Sequence, residues 1–339
     1  MVLAALAVLL VLGLRRAEAF SRGFAWKVLW DSLRNIRWAW LGLAGLCALA
    51  TYFGRALRWA VLLKPVKPHP GIRNLFSATA IGFTAITLLG RPGEFVRPYL
   101  ISVKEGVPFS SQLAAWLLER IYDLLMALAV FGFALSRVRQ SGVVVGSALS
   151  WVLAIGGWFV GITAVVILAV LLGIRHFSVK VQNRLLEALQ FLPEHRYGRA
   201  ERLVKAFVQG VESTRSHHAV LLLTGYTILE WAIIAACTFC VMRAFGGLVR
   251  FSLVDVLIFL GFVTFGAVVQ IPGVGGGIQV VSVLVLTELF RVPLEVATSM
   301  AILLWITTFV IIVPFGLVFA LHEGLDWHNL RKLGREIAP

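Results

Sequence analysis

Residues 81–98 read IGFTAITLLGRPGEFVRP, an apolar run that ends in glycine and proline and continues into two arginines and a glutamate. Proline lacks a backbone N–H and fixes its own φ, so Pro92, with Gly90 and Gly93 beside it, ends a helix that reaches it. The charge-free run before this break is close to the length of about 20 residues that a membrane helix needs. The stretch therefore predicts a re-entrant hairpin, over about 74–109, with a charged tip.

Composition places the whole chain in a membrane. Of its 339 residues 14% are charged, against about 25% in soluble domains, and the mean hydropathy is +0.89. The sequence predicts an all-α integral membrane protein with about six full transmembrane helices and two re-entrant or broken-helix hairpins. The charge-free windows are 1–14, 38–54, 74–90, 140–174, 256–287 and 296–322, and two further candidates, about 110–136 and 219–245, carry charges.

No stretch outside these windows is long or polar enough for a soluble domain, so residues 1–339 are predicted to form a single polytopic membrane domain. The largest non-spanning piece, about 175–218, carries eight Lys and Arg residues with apolar positions at helical spacing. We interpret it as a basic, amphipathic segment on the cytoplasmic membrane surface. Basic residues mark cytoplasmic segments, so we expect the C-terminal tail to lie in the cytoplasm. We expect the protein to be in the inner (plasma) membrane. The side on which residues 15–37 lie stays open.

Several other classes of protein and site are disfavoured. The net charge of +14 is explained by basic loops that meet anionic headgroups, so no nucleic-acid partner is expected. Cys237 and Cys240 form a CxxC within an apolar span, which indicates packing, and the histidines have no metal-site spacing. We find no phosphate-binding loop and no hydrolase motif. The sequence thus predicts no metal, no cofactor and no soluble-enzyme chemistry, and we favour a first membrane helix over a cleaved leader at residues 1–14.

The hairpin pattern occurs twice. Residues 260–277 read LGFVTFGAVVQIPGVGGG, in which Gly-Phe is again followed by an apolar run and Pro-Gly, and a Val-Pro precedes the next span in both halves. This predicts a second hairpin at about 253–290. Segments broken at corresponding positions of two halves are typical of discontinuous transporter helices. With the topology above, the hairpins would enter from opposite sides and form an inverted repeat.

The charges of the first tip indicate an anion site. Arg91 and Arg97 flank a helix N-terminus whose first turn would hold Glu94 and whose N–H groups are free. The planar guanidinium group suits a lipid phosphate. The alternative is that Glu94 pairs with Arg97 and that Arg91 extends to the membrane interface. Both interpretations stay open.

Ionisable residues also lie inside two predicted spans. In LLERIYDLL, residues 117–125, Glu119, Arg120 and Asp123 share one helical face near the bilayer midplane. Charges there cost free energy, so they predict either substrate contact or an ion relay, or an internal salt bridge to an arginine of the tip. We favour a combined role. Glu230, in the middle of another span, is expected to face the same cavity, protonated or paired with an arginine.

The second tip replaces charges with glycines. Its sequence offers Gln270 as a polar group and a backbone made compact by Gly273, Gly275 and Gly276. Such a backbone would let a lipid chain or headgroup approach closely. Plain helix breaking accounts for the glycines as well.

These motifs together carry a resemblance. RALRWAVLL at 55–63, both hairpin tips and EGVPFSSQLAAWLLERIYDLL at 105–125 resemble the lysylphosphatidylglycerol synthase transmembrane family, a flippase-like membrane domain, over about 40–320. The resemblance implies lipid translocation, with the GRPGE tip and the ERIYD helix as the polar centre. The chain departs from the family at Thr87, where Asn is frequent, and at Gln279, where an acidic residue is usual. No aminoacyltransferase domain is expected after the last span.

The main hypothesis is a flippase-like transporter that moves an anionic phospholipid or polyprenyl-phosphate lipid between leaflets, with the headgroup entering between the hairpins. The tip arginines would hold phosphate, and the intramembrane carboxylates would engage a cationic group or carry protons. A separate aminoacyltransferase or glycosyltransferase is an expected partner. The alternatives are a membrane-embedded enzyme or accessory subunit in cell-envelope glycolipid synthesis, using Glu94, Glu119 or Asp123 as acid and base, and a scaffold for a partner. The sequence specifies neither the direction of transport nor the oligomeric state.

Overall fold

The computed structural model describes residues 24–141, 155–167, 216–246, 249–266, 270–271 and 275–324, with the single residues 169, 198, 201 and 205. The predicted span at 1–14, most of the basic segment at 175–218 and the C-terminal tail lie outside the described residues.

The described chain is built from helices that end where glycine, proline or a polar turn interrupts an apolar run. In chain order the elements are α1 Trp26–Arg34, α2 Trp38–Leu63, α3 Ile72–Leu89, a 3₁₀ turn Arg91–Phe95, α4 Val96–Glu105, α5 Phe109–Ser141, α6 Ile155–Ile167, α7 His217–Ala244, α8 Leu253–Gly266, β1 Gln270–Ile271, β2 Gly275–Gly276, α9 Gly277–Glu288, α10 Leu294–Trp305, a π-helical turn Ile306–Val310 and α11 Val313–His322.

Five helical segments within the described residues are long and apolar enough to cross a membrane. They are α2, α3, α5, α7 and the run Leu294–His322 that joins α10 to α11. Helices α6, α8 and α9 are apolar but shorter. At 1.5 Å per residue, the 26 residues of α2 span about 39 Å, more than the hydrocarbon core of about 30 Å. The predicted all-α, multi-pass membrane class is confirmed.

The chain divides into two compact units that interleave along the sequence. The GRPGE unit comprises Thr51–Met126, Ala164–Trp231 and Ile312–Pro339. The glycine-tip unit comprises Met1–Ala50, Ala127–Thr163 and Ala232–Ile311. The expectation of a single polytopic domain stays a prediction.

In the GRPGE unit the predicted break forms a closed helical hairpin. Helix α3 ends at Leu89, Gly90 takes a φ of 74° and donates its N–H to the Ile86 carbonyl, and the 3₁₀ turn leads into α4. A Cβ added at Gly82 would lie 2.6 Å from the Cβ of Arg97, and one at Gly93 would overlap the backbone of Ala85. The two glycines therefore permit α4 and the turn to lie directly against α3. This close packing positions Arg97 beside Gly82.

An apolar core holds this hairpin against its neighbours. Trp59 and Leu62 from α2, Leu75 from α3, Ile101 from α4 and Leu118 from α5 are buried in one cluster. Because these residues come from four helices, burying their apolar surface holds the four helices together. The positions of the neighbouring polar side chains on those helices are set by this packing.

In the glycine-tip unit the second hairpin has a different tip. Helices α8 and α9 pack together, with Gly266 close to the Gly277 carbonyl, and a two-residue antiparallel pair of β1 and β2 lies between them. Gly276 takes a φ of 116° and donates its N–H to Gln279 Oε1 at 2.7 Å. Gly273 lies outside the described residues. Each unit thus contains a helix, a tip and a helix, followed by Val-Pro and a new helix, while the inversion of one relative to the other stays a prediction.

Candidate functional site

The polar centre of the GRPGE unit starts from two arginines on α2. Arg55 and Arg58 are three residues apart and lie on one face of the helix. Arg58 points toward α5 and α7, because it donates hydrogen bonds to side chains on both helices. Neither arginine is among the residues predicted for the site, since both follow the charge-free window that ends at residue 54.

Arg58 joins three carboxylates. Its Nη2 donates to Glu119 Oε1 at 2.8 Å, and its Nη1 donates to Asp123 Oδ1 at 2.7 Å. Nη1 also lies 3.2 Å from Glu230 Oε2 and donates to Thr227 Oγ1 at 3.2 Å. The Arg58 side chain is 1% exposed, so it is a buried cation that carboxylates of α5 and α7 share.

Arg97 approaches the same carboxylate from the hairpin. Its Nη1 donates to both oxygens of Glu119, at 3.1 and 3.0 Å, and its Nη2 donates to the Arg55 carbonyl at 2.9 Å. The guanidinium lies 4.1 Å from the ring centroid of Trp59, whose indole N–H donates to Gln112 Oε1 at 2.9 Å. A guanidinium over a desolvated tryptophan gains about 2 kcal/mol. Arg97 is therefore held by a carboxylate, a backbone carbonyl and an aromatic ring.

Glu230 is held by the arginines of α2. Its Oε1 lies 2.6 Å from Arg55 Nη2, and its side chain is 2% exposed. The Arg55 guanidinium also lies 4.8 Å from the ring centroid of Phe83 on α3. The predicted pairing of Glu230 with an arginine thus has Arg55 and Arg58 as its partners.

We call these residues the ion-paired cluster: Arg55, Arg58, Arg97, Glu119, Arg120, Asp123 and Glu230. Its interior is closed to solvent, whereas its edge is open: the side chains of Arg55, Asp123 and Arg120 are 15%, 17% and 38% exposed. Arg120 lies 3.7 Å from Glu119 and 3.9 Å from Asp123, so it is loosely paired. Four arginines against three carboxylates leave the cluster with a formal charge of +1.

Donors remain unused in this cluster. Among the described residues, the buried Nε atoms of Arg58, Arg97 and Arg120 have no hydrogen-bond partner. A buried N–H without an acceptor costs about 1–3 kcal/mol. Both carboxylate oxygens of Glu230 are likewise buried without a hydrogen bond, and Glu230 is held by its ion pairs to Arg55 and Arg58.

Two of the other predicted site residues pair with each other. Arg91 pairs with Glu94 at 2.7 Å, and its side chain is 51% exposed. The alternative pairing of Glu94 with Arg97 is wrong, because Arg97 is turned inward to Glu119. Gln270, Gly275 and Gly276 belong to the glycine-tip unit. Within the part of the chain that the structure describes, no three or more His, Cys, Asp or Glu side chains are grouped so that they could hold a metal ion.

A second polar contact closes the base of the first hairpin. The carboxylate of Glu105, at the end of α4, accepts from Lys67 Nζ at 2.7 Å, from Asn74 Nδ2 at 2.8 Å and from the Gly71 N–H at 3.2 Å. Burial acts to raise the pKa of Glu105, but the hydrogen bonds from these three donors outweigh it and hold the pKa below its usual range. Glu105 therefore ties the loop before α3 to the end of α4 while it is ionised.

A comparison with known protein families identifies the family of this chain. A family model described as "Lysylphosphatidylglycerol synthase TM region" matches residues 1–316. The chain belongs to this family. The match includes the whole ion-paired cluster and both hairpins, and it confirms the resemblance stated from the motifs. No curated protein matches the chain.

Within this member of the lysylphosphatidylglycerol synthase transmembrane family, one sequence signal pointed to the missed arginines. RALRWAVLL places two arginines three residues apart inside an apolar helix, and intramembrane charges need partners. The α2 helix continues through both arginines to Leu63, so both lie inside an apolar helix and need carboxylate partners there. Gln279 Oε1 accepts the Gly276 N–H at 2.7 Å, a contact that an acidic side chain could also make.

Proposed function

We propose that this chain moves a membrane lipid with an anionic headgroup from one leaflet to the other, and that the headgroup passes over the ion-paired cluster. The observation that supports this most is the set of buried charges inside apolar helices, with unused arginine donors and a net positive charge. Insertion scales assign about 2.5–3.5 kcal/mol to each charged residue at a membrane helix centre. A simple apolar scaffold would have no need of them.

The exposed edge of the cluster is the proposed entry for the headgroup. A phosphate would first meet Arg120 and Arg55, whose side chains reach the open edge, because the side chains of Arg58 and Arg97 are buried. Bidentate contact with a guanidinium is the geometry that phosphate favours. Asp123, on the same edge, would engage a cationic group of the headgroup. Arg91, half exposed at the hairpin tip, would bind phosphate before entry.

The pairing of the carboxylates favours transport over acid–base catalysis. Glu94, Glu119 and Asp123, the candidates for acid and base, each accept hydrogen bonds from an arginine. An acid or base must reach the proton of a bound substrate, whereas oxygens of these three carboxylates face arginines of the protein. We therefore propose a non-enzymatic role in the inner membrane. A separate aminoacyltransferase or glycosyltransferase would make the lipid that is moved.

The test is leaflet exchange in proteoliposomes. Purified protein is reconstituted with headgroup-labelled phosphatidylglycerol, its lysyl ester or a polyprenyl phosphate, and the label in the outer leaflet is followed with a membrane-impermeant quencher. We expect protein-dependent exchange of one of these lipids, reduced at least tenfold in Asp123→Asn and Arg120→Gln. Arg139→Gln, an exposed arginine on the same helix, is the matched control and should exchange like wild type. Exchange no faster than in empty liposomes, with every lipid, would contradict the proposal.

A further inference from the structure

Helix α1, in the glycine-tip unit, has an inner and an outer face of different chemistry. Leu29 and Ser32 are buried, and Ser32 Oγ is hydrogen-bonded to Ser299 Oγ of α10 at 2.8 Å. On the opposite face Trp26 and Trp30 are 66% and 60% exposed. Four residues apart, these two rings form one stripe along the helix. Burial against α10 therefore fixes the helix and leaves its tryptophans outward.

Basic side chains border this tryptophan stripe. Lys27, Arg34 and Arg37 are exposed, and Asp31 is the single acidic residue from Trp26 to Arg37, so this segment carries a formal charge of +2. Tryptophan is enriched where the hydrocarbon meets the headgroups, and Lys and Arg extend their charges toward lipid phosphates. The outer face thus combines both groups that suit an anionic membrane surface.

The position of α1 in the unit agrees with that chemistry. The Arg37 N–H donates to the carbonyl of Ala244, the last residue of α7, immediately before α2 begins at Trp38. The Ala25 N–H donates to Glu295 Oε1 in the first turn of α10. The segment is therefore bound to the ends of three membrane-length helices, which is the level at which a bilayer changes from hydrocarbon to headgroup.

We propose that the outer face of α1 lies in the headgroup layer of an anionic bilayer. Trp26 and Trp30 enter the boundary with the acyl chains, and Lys27, Arg34 and Arg37 bind lipid phosphates. The contact fixes the depth of the glycine-tip unit in the membrane. It is independent of lipid translocation, because none of these residues belongs to the ion-paired cluster.

Depth-dependent fluorescence quenching tests the position of this face. A single cysteine is introduced as Trp26→Cys in full-length protein whose native cysteines are changed by Cys47→Ala, Cys237→Ala and Cys240→Ala, and it is labelled with a small fluorophore in phosphatidylglycerol-containing vesicles. We expect spin-labelled lipid with the nitroxide on the headgroup to quench more strongly than lipid with the nitroxide at acyl carbon 12. Leu46→Cys is the control, since Leu46 is 65% exposed and lies about 12 Å along α2 from Trp38. It should show the reverse order.

Two outcomes would overturn the proposal. Strong quenching of the Trp26→Cys label by iodide in the water, with little by either lipid, would place the face in solvent. Loss of quenching by all three agents would indicate a protein partner in its place. Both labelled proteins must first elute as folded species on size exclusion.

The preference for anionic lipid is tested separately. We expect headgroup quenching of the Trp26→Cys label to be stronger in vesicles with phosphatidylglycerol than in vesicles of phosphatidylcholine alone. In the triple variant Lys27→Gln, Arg34→Gln, Arg37→Gln this difference should disappear, with the label still in the headgroup layer. Equal quenching in the two vesicle types with the native basic residues would contradict phosphate binding by α1.

Discussion

At the scale of single residues, Arg58 decides the electrostatics of the GRPGE unit. It contacts Glu119, Asp123 and Glu230, whereas Arg55 contacts only Glu230 among these carboxylates and Arg97 contacts only Glu119. Removing one partner of a buried ion pair leaves the other charge uncompensated, which is more costly than removing both. The loss of stability caused by a substitution in the cluster therefore depends on how many oppositely charged side chains lose a partner.

We predict that Arg58→Met destabilises the protein most severely of the cluster arginines. Removing one partner of a buried ion pair costs about 3–5 kcal/mol, and this substitution removes a partner from three carboxylates at once. Thermal unfolding in detergent measures the effect. Arg120→Met should change the melting temperature little, because Arg120 is part-exposed and its nearest carboxylate oxygen is 3.7 Å away. Equal losses in the two variants would contradict the central place of Arg58.

The position of each charge relative to an apolar run decides whether the sequence predicts it as a site residue. Glu119, Asp123 and Glu230 were found because each lies well inside an apolar span. The charge-free window 38–54 ends immediately before Arg55 and excludes Arg55 and Arg58, although a helix can carry paired charges into the membrane. The partner of Glu94 could not be read from the sequence either, since the inward turn of Arg97 depends on the contact of α4 with Gly82.

At the scale of elements, the GRPGE hairpin depends on two close backbone contacts and one polar clasp. Gly82 and Gly93 let the returning chain lie against α3, and Glu105 closes the open end of the hairpin. The break was predictable from Gly90, Pro92 and Gly93, because these residues oppose a continuous helix. The clasp was not, since it joins residues that lie 31 to 38 positions apart.

We predict that Gly93→Ala opens or strains the hairpin. The added Cβ would overlap the backbone of Ala85, which cannot move without shifting α3. Overpacking of this kind costs about 1–3 kcal/mol, so the melting temperature should fall. Gly54→Ala is the control, since a Cβ at Gly54 has no neighbour within 4 Å and alanine favours a helix. A melting temperature for Gly93→Ala equal to that of wild type would show that the hairpin is looser than described.

We predict a pH-dependent contribution to stability from Glu105. Its pKa is lowered in the folded protein, so its stabilisation is present above the ordinary glutamate pKa of about 4.3 and is lost as the pH falls through the folded value. Wild type should therefore melt at a higher temperature than Glu105→Gln at pH 7, and the difference should shrink below about pH 4.3. Melting curves of both proteins from pH 7 to pH 3 provide the measurement. A difference that stays constant over that range would exclude ionisation as its cause.

At the scale of the whole molecule, a repeated helix–tip–helix pattern lies in two units with different chemistry at the tip. One tip is charged and belongs to the unit that holds the ion-paired cluster, and the other contains the antiparallel pair of β1 and β2 with Gly275 and Gly276. Hydropathy and the duplicated Gly-Phe, Pro-Gly and Val-Pro spacing were sufficient to predict the membrane class and both breaks. Hydropathy does not predict helix α1, because four of its nine residues are charged or polar and the segment is too short and too polar to resemble a membrane span.

The measurement that most directly tests the proposed lipid site is photocrosslinking in reconstituted vesicles. Phosphatidylglycerol with a photoreactive headgroup is added, the protein is digested after illumination, and the labelled peptides are mapped by mass spectrometry. We predict label on the peptides that contain Arg55, Arg120 and Asp123, reduced by excess unlabelled phosphatidylglycerol and absent from the matching α5 peptide of folded Arg120→Gln. Label confined to other segments, or unaffected by competitor, would contradict a headgroup site at the ion-paired cluster.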